Sequence, residues 1–147
     1  MALTKVTAAV LEPTAVTDNI SNGSIDSAKI ASDAVSYEKI DNEFKTSSAL
    51  TAGSTVDVDF DAAQVFTLTP DQNTTLNITN PKIGITKSII VTGAGGSYTL
   101  AFTVGGASGT FNLINGEYDD TAAAKNFIQI FCVSATEFWY SISQIAS

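Results

Sequence analysis

The sequence predicts a mainly β protein: an antiparallel β-sandwich or jelly-roll-like C-terminal domain behind an extended, repeat-bearing N-terminal arm. Three observations point there. Apolar residues alternate with polar ones at period two from about residue 55 onward. Gly, Asn and Pro punctuate those runs at short intervals. Before residue 45 the periodicity is five and ten residues instead, which neither a plain helix nor a plain strand produces. The division is therefore drawn as an arm over residues 1–50 and a β domain over 51–147.

In the arm, Ile20, Ile25, Ile30, Val35 and Ile40 recur every fifth position. Gly23-Ser-Ile-Asp-Ser-Ala-Lys-Ile30 aligns with Asp33-Ala-Val-Ser-Tyr-Glu-Lys-Ile40 in a ten-residue repeat. Five residues rotate a helix by about 500°, so these side chains do not form one helical stripe, and an odd spacing alternates faces in a strand. A short helical turn followed by an extended step keeps them together, with Ser24, Asp26 and Ser36 offering N-cap oxygens. The competing reading is one amphipathic helix over 26–44. One large aliphatic per five residues does not offset an ordering cost of about 1–2 kcal/mol per residue on a lone chain. A symmetric homo-oligomer, or an arm ordered only on a partner surface, resolves this. Ile20, Ile25, Ile30, Val35, Ile40 and Phe44 are the expected assembly and attachment residues.

The β elements follow in order. Val56, Val58 and Phe60 alternate with Asp57, Asp59 and Asp61. Val65 to Thr69 ends at Pro70-Asp71, and Thr74 to Thr79 ends at Asn80-Pro81. Ser88 to Thr92 runs into Gly93-Ala-Gly-Gly96, read as a hairpin turn. Tyr98, Leu100, Phe102 and Val104 precede Gly105-Gly106, and Phe111 to Ile114 closes at Asn115-Gly116. Phe127 to Val133 and Phe138 to Ile145 complete roughly eight strands. Asp120 to Lys125 has room for one helical turn at most.

Composition narrows function. The net charge is −8 and all seven basic residues are Lys, so clustered cations for nucleic acid are not expected. No run approaches a membrane span. The start lacks a secretion leader, so synthesis in a cytoplasm is expected. With no histidine, Ser-His-Asp, Cys-His and His-zinc arrangements are impossible, and neither catalysis nor a cofactor is expected. Asp57, Asp59 and Asp61 would share one strand face and form the one weak metal candidate, for calcium. The EF-hand pattern fails, because Ala62 stands in the Gly position and Leu68 in that of the bidentate Glu. The plainer reading is a solvated, strand-repelling edge. Glu117, Asp119 and Asp120 form a second acidic group. The lone Cys132 sits in an apolar run and reads as a small buried hydrophobe. Trp139 and Tyr140 point to opposite faces, so one is core and the other a surface contact together with Tyr118.

The β region resembles a compact module of tailed-phage virion proteins. The matching residues are Asn73-Thr-Thr-Leu-Asn-Ile-Thr-Asn-Pro81, Gly84, Ile89-Ile-Val91, Gly93-Ala-Gly-Gly96, Tyr98-Thr-Leu-Ala-Phe102 and Trp139-Tyr140. The arm is similar to the Gly-x-(Ile/Val)-x-x-x-Lys-(Ile/Leu) repeats of phage fibres and head-decoration proteins. The resemblance implies a homotrimeric virion component. Its expected function is capsid decoration, as a cement or head-fibre-like protein that binds the major capsid protein or another virion protein and stabilises the capsid surface. The alternative is a short tail fibre or adaptor with a glycan-binding β domain. Two repeats give a shaft of only about 66 Å at 3.3 Å per residue, which favours decoration.

Overall fold

A computed structural model describes Ile30, Ser32 and residues 34–145. The chain divides into two compact units, Met1–Lys39 and Ile40–Ser147. In the first, a 3-10 turn over Tyr37–Lys39 starts at Ser36, whose carbonyl accepts the Lys39 N–H at 2.9 Å. That is the helical turn expected in the second repeat. A single helix over 26–44 does not form in the described part. Ile40 and Asp41 intervene before a second 3-10 turn, Asn42–Phe44, capped by the Asp41 carboxylate. Ile20 and Ile25 lie outside the described residues.

The second unit is mainly β, with nine strands among the described residues. They are β1 (Ser47–Ala49), β2 (Thr55–Asp59), β3 (Val65–Leu68), β4 (Thr74–Thr79), β5 (Thr86–Thr92), β6 (Leu100–Val104), β7 (Thr110–Asn115), β8 (Lys125–Cys132) and β9 (Glu137–Gln144). All eight expected strands are present, and β1 adds one from inside the segment assigned to the arm. The pairing differs from the expected sandwich. β1, β3 and β5 stack in parallel in one sheet, while β2, β4 and β6 stack in parallel in another. Each pair of consecutive strands thus makes one coil, and three coils form a short two-sided β-solenoid.

Alternation turns one face of every strand inward. Val56, Leu76 and Phe102 align in one interior column, and Val58, Ile78 and Val104 in the next. Opposite them, Phe66, Ile89, Ile128 and Ile142 form a row across the other sheet. Parallel stacking of identical alternation keeps like residues in register, so the core repeats from coil to coil.

The sandwich expectation failed at the connections. Gly93 to Ser97 joins β5 to β6, which belong to different sheets, so it is a corner and not a hairpin. Asn115-Gly116 likewise ends β7 without pairing it to β8. Gly, Asn and Pro serve corners and hairpins alike, because both need φ > 0 or a sharp bend. Gly116 shows the demand: it sits at φ 85, and a Cβ there would collide with the Ile142 carbonyl oxygen.

The last strands close the solenoid. β8 runs antiparallel to β5, β9 antiparallel to β8, and β7 flanks β9 in parallel at the far edge, giving the order β1-β3-β5-β8-β9-β7. Aromatic rings fill this end. Phe102 lies 5.4 Å from Phe111 and 4.8 Å from Tyr140, and Phe111 stacks on Phe138 at 4.9 Å. Each such pair adds about 0.5–1.5 kcal/mol beyond burial. The segment from Asp120 to Lys125 forms a turn, Ala124 N–H to Thr121 O at 2.9 Å, with no helix.

Candidate functional site

The surface with the strongest binding chemistry is the outward face of the six-stranded sheet. β8 buries every second residue from Asn126 to Cys132, which sends Lys125, Phe127, Gln129 and Phe131 outward. Opposite Phe131, β9 places Trp139, and β7 adds Asn112. Phe127 pairs across to Ile90 on one side and Ser143 on the other. Phe127, Phe131 and Trp139 are 37, 39 and 47% exposed, far more than aromatic rings in a core. At one end, Ile90, Lys125, Phe127, Ser143, Gln144 and Ile145 line a shallow groove of about 600 Å³. At the other, the Trp139 ring is fixed in place. Its Nε1–H donates to Glu137 Oε1 at 3.0 Å, and Asn112 Nδ2 donates to the same oxygen at 3.2 Å.

The expected division between Trp139 and Tyr140 is what the strand delivers: Trp139 stands outside and Tyr140 packs on the core. Tyr118 also packs on the core, and its hydroxyl donates to Asp120 Oδ1 at 2.8 Å. Burial and that carboxylate push both the Tyr118 phenol and, by burial alone, the Tyr140 phenol above the ordinary range. Of the expected attachment residues, Ile30 and Val35 are exposed in the first unit. Ile40 and Phe44 are exposed in the second, with Lys87 Nζ 5.4 Å from the Phe44 ring centroid.

The aspartates do not share one strand face. Asp57 and Asp59 lie on β2, but the strand ends at Asp59 and Asp61 falls in the turn beyond it. Each is engaged separately. Asp57 Oδ1 accepts from Asn77 Nδ2 at 2.7 Å; Asp59 Oδ1 accepts from Asn80 Nδ2 and from the Asp61 N–H. Asp61 pairs with Lys82 at 2.7 Å, which holds its carboxyl below the usual range. Among the described residues, no group of three or more His, Cys, Asp or Glu is gathered as a metal site would need. The second acidic group is a clasp. Asp120 accepts the N–H groups of Ala94 and Tyr98 at 3.0 and 2.8 Å, which lower its pKa, and Asp119 caps Thr121. Gly93 belongs to the same junction, where a Cβ would strike the Thr121 carbonyl.

Two features escaped the sequence reading. Phe127 to Val133 is apolar on both faces, so its inward Ile128, Ile130 and Cys132 hide the outward phenylalanines. Cys132 itself is fully buried, its thiol raised in pKa by that burial. Lys87 is the other: its inward position in β5 makes it a fully buried cation. Its Nζ donates to the Glu43 carbonyl at 2.6 Å and lies 5.9 Å from the Phe60 ring centroid. The signal was available, since Lys87 keeps the parity of Ile89 and Val91. No protein-family model, curated protein or solved structure matches the chain.

Proposed function

We propose that this chain is a structural binding protein and not an enzyme, serving as a capsid decoration protein of a tailed-phage virion and working as a homotrimer. It is made in the host cytoplasm and carried on the capsid surface, with the major capsid protein or another virion protein as its second partner. The observation that supports this reading is the aromatic outer face. Phe127, Phe131 and Trp139 stand on two adjacent strands of the hydrogen-bonded six-stranded sheet and are turned toward solvent, and exposed apolar surface of that kind marks interaction sites. The carboxylates that acid–base chemistry would draw on are instead committed to Asn77, Asn80, Lys82 and loop N–H groups. The likeness of arm and β region to virion modules points the same way.

The mechanism is binding alone. Apolar arm residues Ile20, Ile25, Ile30, Val35, Ile40 and Phe44 attach, and every contact made only in the assembled shell raises the free energy of pulling it apart. Immunogold labelling of the particle is expected to mark the head. Replacing Ile25, Ile30 and Ile40 together by Ser is expected to release monomers in sedimentation; an unchanged oligomer removes the arm from the assembly contact.

A second reading, a short tail fibre or adaptor that binds a glycan, is favoured by Trp139, whose ring is pinned beside Glu137 and Asn112 as a stacking surface with hydrogen-bonding neighbours. Label on the tail, with glycan-array binding that Trp139→Ala abolishes, selects it.

A further inference from the structure

The outer face of the six-stranded sheet has a charge pattern that specifies what fits it. Lys125 opens β8 and Glu137 opens β9, and these strands are antiparallel, so the two charges stand at opposite ends of one face. Between them the outward rows are uncharged: Phe131, Trp139 and Asn112 in one, Gln129 and Ser141 in the next, then Phe127 and Ser143. The chain carries a net charge of −8. Two copies therefore repel overall, and the opposite charges at the two ends of this face allow an approach that pairs unlike charges.

We infer that a second copy of this chain covers this face, the Lys125 end of one copy lying against the Glu137 end of its neighbour. The inference rests on the oligomer proposed above and names the surface it uses. One closed arrangement of that homotrimer meets the condition. A threefold axis along the stacking direction of the coils sets the right edge of each face against the left edge of the next, and the ring closes. Packing with the strands aligned end to like end places Lys125 on Lys125 and Glu137 on Glu137. At about 4.8 Å between strands and 3.3 Å per residue the face offers on the order of 600 Å², near the roughly 800 Å² per partner of a standard interface.

Trp139 is the only tryptophan of the chain and reports on its own burial. In the full-length protein, the oligomer seen by sedimentation is expected to have blue-shifted, acrylamide-protected emission. Dilution to single chains is expected to shift that emission to the red. A zero-length carbodiimide link between Lys125 and Glu137 is expected only between chains, identified by mixing isotopically labelled and unlabelled protein. Within one chain the two residues are eight positions apart in the register, about 26 Å along the strands, too far for such a link. Lys125→Glu alone is expected to weaken association on the order of fivefold, and Lys125→Glu with Glu137→Lys to restore it. An oligomer whose Trp139 is quenched as freely as an exposed indole, with no interchain link and no effect of the single reversal, overturns the face while the oligomer stands. A single chain at every concentration overturns both.

Discussion

Lys87 is the residue where sequence pattern and solvation conflict most directly. The alternation of β5 sends it inward with Ile89 and Val91, and an ammonium taken out of water loses far more than one hydrogen bond returns. It is accommodated by the Glu43 carbonyl and by the rings of Phe44 and Phe60, while Glu43 itself pairs with Lys82 at 2.9 Å. Burial lowers the Lys87 pKa in the folded chain. The unfolded chain then holds that proton more tightly, so stability rises with pH from the lowered folded value up to the ordinary lysine value of about 10.4. Urea unfolding at stepwise pH is expected to show that rise in the parent protein and to lose it in Lys87→Met. An identical slope in both proteins assigns the effect to another group.

Among the elements, the three coils are joined by polar rungs as well as by apolar columns. Asp57, Asn77 and Thr103 stand in register on β2, β4 and β6. Asn77 is the central rung. It donates to Asp57, and its Oδ1 accepts from Thr103 Oγ1 at 3.1 Å and from the Gly106 N–H at 2.8 Å. Only 7% of Asn77 is exposed, so water does not readily replace these partners. Asn77→Ala is expected to lower the unfolding free energy by about 1–3 kcal/mol, read from the shift in denaturant midpoint. Asn77→Asp is expected to do more harm near neutral pH, where two carboxylates would face each other, and to recover in acid. A midpoint unchanged by Asn77→Ala shows the rungs to be incidental to stacking.

For the whole molecule, the buried residues place the boundary. From Glu43 onward they all lie in the second unit, among the described residues. The chain from Ile40 is therefore expected to fold by itself and to melt cooperatively within a few degrees of the full-length protein. Circular dichroism on a chain beginning at Ile40 tests this, and loss of the cooperative melt assigns structural work to the first 39 residues. The boundary expected at residue 50 came from where period-two alternation becomes visible. β1 carries only Ser-Ser-Ala, which has no apolar alternation to read, and it joins the sheet through Ser47, Ser48 and Ala49 opposite Val65, Phe66 and Thr67.

The sequence by itself determined the strands from β2 to β9, the placement of Trp139 and Tyr140 on opposite faces, and the burial of Cys132, because each follows from side-chain pattern within a single strand. Which strand lies beside which was decided only in three dimensions. A parallel coil and an antiparallel hairpin use the same alternation and the same turn residues, and they differ only in backbone pairing across 20 to 26 residues of sequence. The outward aromatic face and the buried Lys87 were decided there too, since a strand apolar on both sides does not reveal which side meets the core until the second sheet has taken its place.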